Sequence, residues 1–234
     1  MQTDVTHRRI HTAAFATEAA EFIIAEARKA LSARGTFRLG LAGGNTPRKI
    51  HAELARLGAD LPWEKVQITF GDERCVPPDH ADSNYRMARE SLFEVVSIPA
   101  ENILRMRGEI DQEAAAAEYE SALAERAAAA GESRYVHDFL LLGLGPDGHT
   151  ASLFPGSPAV EETERNVLAV IGQKPPPQRI SLTFPLINAS RAICFLVGEA
   201  DKHQVVEEVI AGDPRHPASK VRAATWILGY PQPG

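Results

Sequence analysis

Apolar residues recur at helical spacing through residues 13–33, where Phe15, Ala19, Phe22, Ile23, Ala27, Ala30 and Leu31 share one face and Gly35 follows as a stop. Short apolar or β-branched runs then punctuate the chain at 37–42, 66–70, 139–143, 167–171, 179–183, 192–197 and 223–228. Runs of this length, bounded by Gly and Pro, read as strands. Helical patterns lie between them. One covers 48–57, and one follows Ser83, a candidate cap, with Tyr85, Met87, Ala88, Leu92 and Phe93 mostly turned to a core. An alanine-rich helix is expected over 111–130, its charges a solvated face, and another through Ile210. About seven strands interleaved with helices predict an α/β sandwich with a parallel sheet. No internal repeat or long linker divides the chain, so residues 1–234 are expected to form one domain.

Composition narrows the class of partner. A hydrophobic share of 44% with 24% charged residues is ordinary for a soluble globular protein. The formal net charge of -6 argues against nonspecific nucleic-acid binding, so an anionic substrate needs a local basic pocket. Cys75 and Cys194 lie far apart without zinc spacing, which suits reduced thiols in the cytoplasm. The N-terminus lacks the apolar core of a signal peptide, and no segment is apolar for long enough to span a bilayer. A cytoplasmic protein with a small-molecule substrate and no membrane partner is the expectation. Oligomeric state is not legible here, and a monomer is compatible with the sequence.

The candidate chemistry gathers at strand ends. After 37–42 comes Gly43-Gly44-Asn45-Thr46-Pro47, with Thr46 suited to the N-cap and Pro47 to the first helical position. Glycines admit a ligand close to the backbone, and free amides at a helix start favour an anion such as a sugar phosphate. After 66–70, Asp72, Glu73 and Arg74 fall in a turn, with substrate binding or proton transfer on one side and a solvated ion-paired loop on the other as alternatives. Asp147 and His149 occupy the Gly/Pro turn that ends the run 139–143, where α/β sheets gather ligands. Gly143, Gly145 and Gly148 formally spell a dinucleotide fingerprint, but Pro155, Gly156 and Pro158 interrupt the helix that such a site requires. The stiff loop 174–178 delivers Arg179 to a strand start, and Lys202 follows the run 192–197. Asp79, His80 and Asp82 show no metal-ligand spacing and read as a polar loop.

Five motifs in order resemble the 6-phosphogluconolactonase family: AGGNTP at 42–47, GDERCVP at 71–77 with DSNYR at 82–86, GLGPDGHTASLFPGS at 143–157, RISLT at 179–183 and VGEADK at 197–202. The resemblance implies the Rossmann-like fold shared with glucosamine-6-phosphate deaminases and ribose-5-phosphate isomerases. It implies hydrolysis of 6-phospho-D-glucono-1,5-lactone in the oxidative pentose phosphate pathway, without metal or organic cofactor. By the same resemblance, His149 is the general base. Gly43, Gly44, Asn45, Thr46, Arg179 and Lys202 hold the phosphate, with Asn45 standing where a serine is frequent. Asp72 and Arg74 line the reacting end. The chemistry agrees, since a lactone needs a positioned water, a base near neutral pKa and a cation facing the oxyanion. Either Asp147 or Asp72 is expected to orient the imidazole. Cys75 is not expected to act as a nucleophile, since it has no identifiable histidine partner.

Two rival readings meet specific obstacles. Deaminases of the glucosamine-6-phosphate type resemble the chain at the glycine turn and at D-G-H, but continue with H-x-A-F-N-E. Phe154 stands in the glutamate's place and cannot move a proton. A non-catalytic sugar-phosphate sensor is expected to carry a DNA-binding segment, and the residues before the first helix are too few for one.

Overall fold

The computed structural model describes residues 7–232, apart from the Asn45 side chain. Residues 1–6, at the start of the segment read for a signal peptide, fall outside it. Strand β1 (Arg8–His11) leads into helix α1 (Phe15–Arg34), which Gly35 ends in the left-handed conformation. Then follow β2 (Phe37–Leu41), α2 (Asn45–Leu57), β3 (Val66–Phe70), β4 (Asp72–Arg74) and α3 (Asn84–Ala88). Next come α4 (Gln112–Ala129), β5 (Phe139–Gly143), β6 (Val167–Ile171), β7 (Gln178–Leu182) and α5 (Phe184–Ile187). The series ends with β8 (Ile193–Val197), α6 (His203–Ile210) and β9 (Thr225–Leu228).

Six strands form a parallel sheet in the order β1-β9-β8-β5-β2-β3. Its central strands are apolar throughout because both faces are covered, and successive side chains serve opposite layers. Phe139 and Leu141 of β5 pack with Ile23, Ala27 and Leu54 of α1 and α2. Leu140 and Leu142 pack on the other face with Tyr119 and Leu123 of α4 and Val206 of α6. Phe195 and Trp226 stack at 4.1 Å between ring centroids, joining β8 to β9 within that second layer.

The parallel-sheet expectation holds, but two of the expected strands, β6 and β7, lie outside that sheet. β6 and β7 are antiparallel, and β4 joins β7 to complete a separate sheet ordered β4-β7-β6. Residues 172–177 between β6 and β7 are too few for a parallel crossover, which needs roughly a dozen. Neither β1 (RRIH) nor β4 (DER) carries an apolar run, so hydrophobic patterning misses both. Pairing defines them instead, β1 along β9 and β4 with Asp72 opposite Ser181 and Arg74 opposite Arg179. Ser83 caps α3 as expected, its hydroxyl accepting from Arg86 N at 3.1 Å. Among the described residues, no helix is long and apolar enough to cross a membrane.

Candidate active site

Connections run from β2 to β3 on one side and through β5, β8 and β9 on the other, so the sheet reverses its winding between β2 and β5. Beyond the carboxyl ends of these strands, the position where such sheets bind ligands, lies a cleft of about 450 Å³. From the sequence-derived set it draws Gly43, Gly44 and Thr46 at the start of α2, Asp72 and Arg74 on β4, and His149, Arg179 and Lys202.

One end of the cleft is built on α2. Gly44, at φ 101° and ψ -179°, is the N-cap, a conformation that an L-residue adopts only with strain. Thr46 therefore sits inside the first turn, which corrects its assignment as the cap, and Pro47 is the third helical residue, two positions deeper than expected. The Thr46 hydroxyl donates to Glu199 at 3.0 Å, and Lys202 Nζ lies 3.1 Å from the other Glu199 oxygen. Burial raises the Glu199 carboxyl, but the bonds from Lys202 and Thr46 outweigh it and hold the group below the usual range. In the VGEADK run only Lys202 carries a sequence signal, and the part played by the Glu199 carboxylate emerges from these contacts. Asn45 is the first residue of α2, and its side chain lies outside the described residues.

On the turn after β5, His149 Nδ1 lies 2.5 Å from Asp147 Oδ1, which also accepts the His149 backbone N–H at 3.2 Å. An ionised carboxylate only accepts, so Nδ1 carries a proton, and in the neutral tautomer so fixed Nε2 is the acceptor. Burial raises Asp147, yet the His149 hydrogen bond and charge bring its pKa below the usual carboxylate range. The imidazole packs on Phe154, with 4.5 Å between ring centroids. Gly145 lies beneath it, where an added Cβ would come within 2.1 Å of the ring atoms. Gly145→Ala is accordingly expected to displace the imidazole and cut kcat by roughly a hundredfold, with the fold retained. Steady-state rates alongside circular dichroism check this.

Asp72 has other engagements. Its carboxylate accepts from Ser152 Oγ at 2.7 Å and Asn84 Nδ2 at 3.2 Å, and Arg179 Nη1 lies 3.8 Å away. Of the two candidate partners for His149, Asp147 makes the bond. Glu73, buried beside Asp72, accepts from Ser83 Oγ and from the backbone N–H groups of Arg74, Asn84 and Tyr85, tying α3 to β4. Arg74 Nη1 donates to Asp82 O at 2.5 Å. Arg179 reaches from β7 into the loop, where its guanidinium donates to Pro176 O at 3.2 Å and Lys174 O at 3.4 Å. Burial lowers the Arg179 pKa more than neighbouring Asp72 restores it. Lys174 also borders the cleft, a contribution that a Pro-rich loop conceals in sequence. Burial, with Glu73 and Asp111, pushes the Cys75 thiol up to about 11, the reverse of what an activated nucleophile requires.

Fold and cleft together define an α/β protein with a cation-lined cleft at the switch point of its parallel sheet. The chain belongs to the family described as glucosamine-6-phosphate isomerases/6-phosphogluconolactonase, whose model matches residues 11–228. A 6-phosphogluconolactonase of Synechocystis sp. is 43% identical over 207 residues, covering 86% of this chain and 85% of that protein. The Homo sapiens 6-phosphogluconolactonase is 39% identical over 189 residues, covering 79% and 72%. The crystal structure of a Thermotoga maritima 6-phosphogluconolactonase superposes with a TM-score of 0.83 at 27% identity, covering 95% of this chain and 99% of that one.

Proposed function

We propose that the chain hydrolyses 6-phospho-D-glucono-1,5-lactone to 6-phospho-D-gluconate, as the names of its relatives suggest. The observation that carries the mechanism is the Asp147–His149 pair at 2.5 Å, held in the same cleft as a cation-flanked helix start. The phosphate lies at the N-terminus of α2, with Thr46, Lys202 and Arg179 around it. That places the lactone toward His149. Neutral His149 takes a proton through Nε2 from water as the water oxygen bonds to C1. Arg74 faces the oxyanion that forms. The C1–O bond to the ring oxygen then breaks, and the imidazolium returns its proton to that oxygen. Asp147 holds the imidazole in the required tautomer and steadies its charge. Asp72 keeps Arg179 and the Ser152 segment in place. Phe154, packed on His149, offers no carboxylate for the ring opening that a deaminase needs.

Lactone prepared freshly from glucose 6-phosphate tests the reading, because its disappearance can be followed against the spontaneous rate. Acceleration with stoichiometric 6-phosphogluconate is the expected result, and a rate equal to the blank refutes it. Lys202→Ala is expected to raise KM roughly tenfold to hundredfold while kcat changes less, the loss of a charge-assisted contact made equally in ground and transition states. Inhibition by inorganic phosphate should weaken in parallel.

A further inference from the structure

The turn that carries His149 is gripped by residues that do not line the cleft. His216 Nδ1 lies 3.1 Å from the carbonyl oxygen of Asp147, and the Ala218 N–H donates to Gly148 O at 2.9 Å. Gly148 has φ 77°, and an added Cβ there would fall 2.3 Å from His216 Nδ1, so ring and turn are in contact. The opposite ring nitrogen, Nε2, lies 2.6 Å from Glu208 Oε2 on α6.

A carbonyl oxygen can only accept, and so can an ionised carboxylate. Glu208 is held ionised, its pKa lowered by hydrogen bonds from His216 and Gln204 and by the charge of Arg215. Both nitrogens of His216 thus face acceptors, a geometry that only the doubly protonated imidazolium satisfies in full. Burial opposes that cation. Glu208, the Asp147 carbonyl and Asp213 outweigh burial and raise its pKa above the ordinary histidine value. Arg215 is the opposing charge nearby, paired with Asp213 at 2.6 Å and 3.5 Å from Glu208. The facing groups are therefore Glu208 from α6, the Asp147 carbonyl from the turn after β5, and Asp213 and Arg215 from the segment before β9.

We propose that His216, bonded to Glu208 as an imidazolium, is a positioning residue for the hydrolysis, its Nδ1–H anchoring the Asp147 carbonyl and thereby the carboxylate that orients His149. This rests on His149 being the base. Carbonyl and carboxylate belong to one residue, so a turn freed at the first loses its aim at the second. Loss of the His216 proton leaves one of its two bonds unmade. The anchor is strongest below the raised His216 pKa and weakens as pH rises through it.

Three variants test the proposal. His216→Phe keeps a ring but removes both donors, His216→Gln keeps an amide donor, and Glu208→Gln removes only the charge that favours the imidazolium. Expected for His216→Phe is a fall in kcat of roughly tenfold to hundredfold with KM little changed. His216→Gln should recover most of that loss and flatten the alkaline side of the pH profile. Glu208→Gln should move the alkaline loss of kcat to lower pH. Wild-type kcat and pH profiles in His216→Phe and Glu208→Gln overturn the proposal. So does an equal loss in both His216 variants that follows their thermal stability. If His149→Ala keeps the full rate, the base assignment fails separately. Nitrogen-15 spectra of the imidazoles then decide: a His149 Nδ1 signal that shifts in His216→Phe supports the anchor, and an unmoved one overturns it.

Discussion

His149→Ala is expected to lower kcat for the phosphorylated lactone by roughly 10²–10⁴, the range for loss of a general base. The effect belongs in kcat, because Thr46 at the start of α2, Arg179 on β7 and Lys202 are untouched and KM follows them. Asp147→Ala should cost less. It frees the imidazole that was fixed at 2.5 Å without deleting the lone pair that takes the proton. The double variant should be no worse than His149→Ala alone, since Asp147 acts only through the ring it orients. Initial rates corrected for the spontaneous reaction measure these effects, with binding of 6-phosphogluconate as the control for an intact cleft. Rapid turnover by His149→Ala would remove His149 from the reaction and leave water attack to another group.

The His149 turn was legible because its signals are local. An apolar run, Gly143 to Gly148 and Pro146 mark a strand that stops abruptly, and position past a strand end is itself informative. The Ser83 cap was legible for the same reason. Harder were contacts that only long-range pairing creates. DER at 72–74 reads as a turn because its side chains are charged, yet β7 supplies its ladder and brings Arg74 opposite Arg179. Asp147 and Asp72 were indistinguishable in sequence, both being acids next to strand ends. Their partners separate them: Asp147 meets the imidazole, while Asp72 is occupied by Ser152 and Asn84. Thr46 has the residue type of a cap but lost that position to Gly44, whose positive φ begins the helix two residues earlier. Glu199 and His216 needed tertiary structure. One is defined by Thr46 and Lys202, the other by a carbonyl far away in the chain.

Two histidines remote from the cleft make the second large effect, and it bears on stability. His51 and His137 are fully buried, and burial, aided by the charges of Arg48 and Arg38, lowers their pKa values to about 4 and about 3. His137 is held neutral between Thr69 Oγ1 at 2.9 Å and Ser190 Oγ at 3.4 Å. His51 bonds Ser91 at 3.1 Å, and its Nε2 finds no partner among the described residues. Unfolded, each takes up a proton near pH 6.5; folded, each resists until much lower pH. The unfolded chain therefore binds more protons below that value, and stability falls as pH drops. Each histidine contributes a slope of about 1.4 kcal/mol per pH unit, or about 2 kcal/mol by pH 5. His216 shifts the other way: its stabilising contribution is full below its unfolded pKa and is lost only as pH rises through its raised folded pKa, so it adds little to the slope in this acid window. His7, its pKa also lowered by burial, adds in the same direction, so urea unfolding of wild type between about pH 5 and pH 6 should give a slope of about two protons or more, and His51→Leu a slope lower by about one. A wild-type slope close to zero would mean that the burial of these rings is relieved in solution. An unchanged slope in His51→Leu would assign the acid sensitivity to other groups.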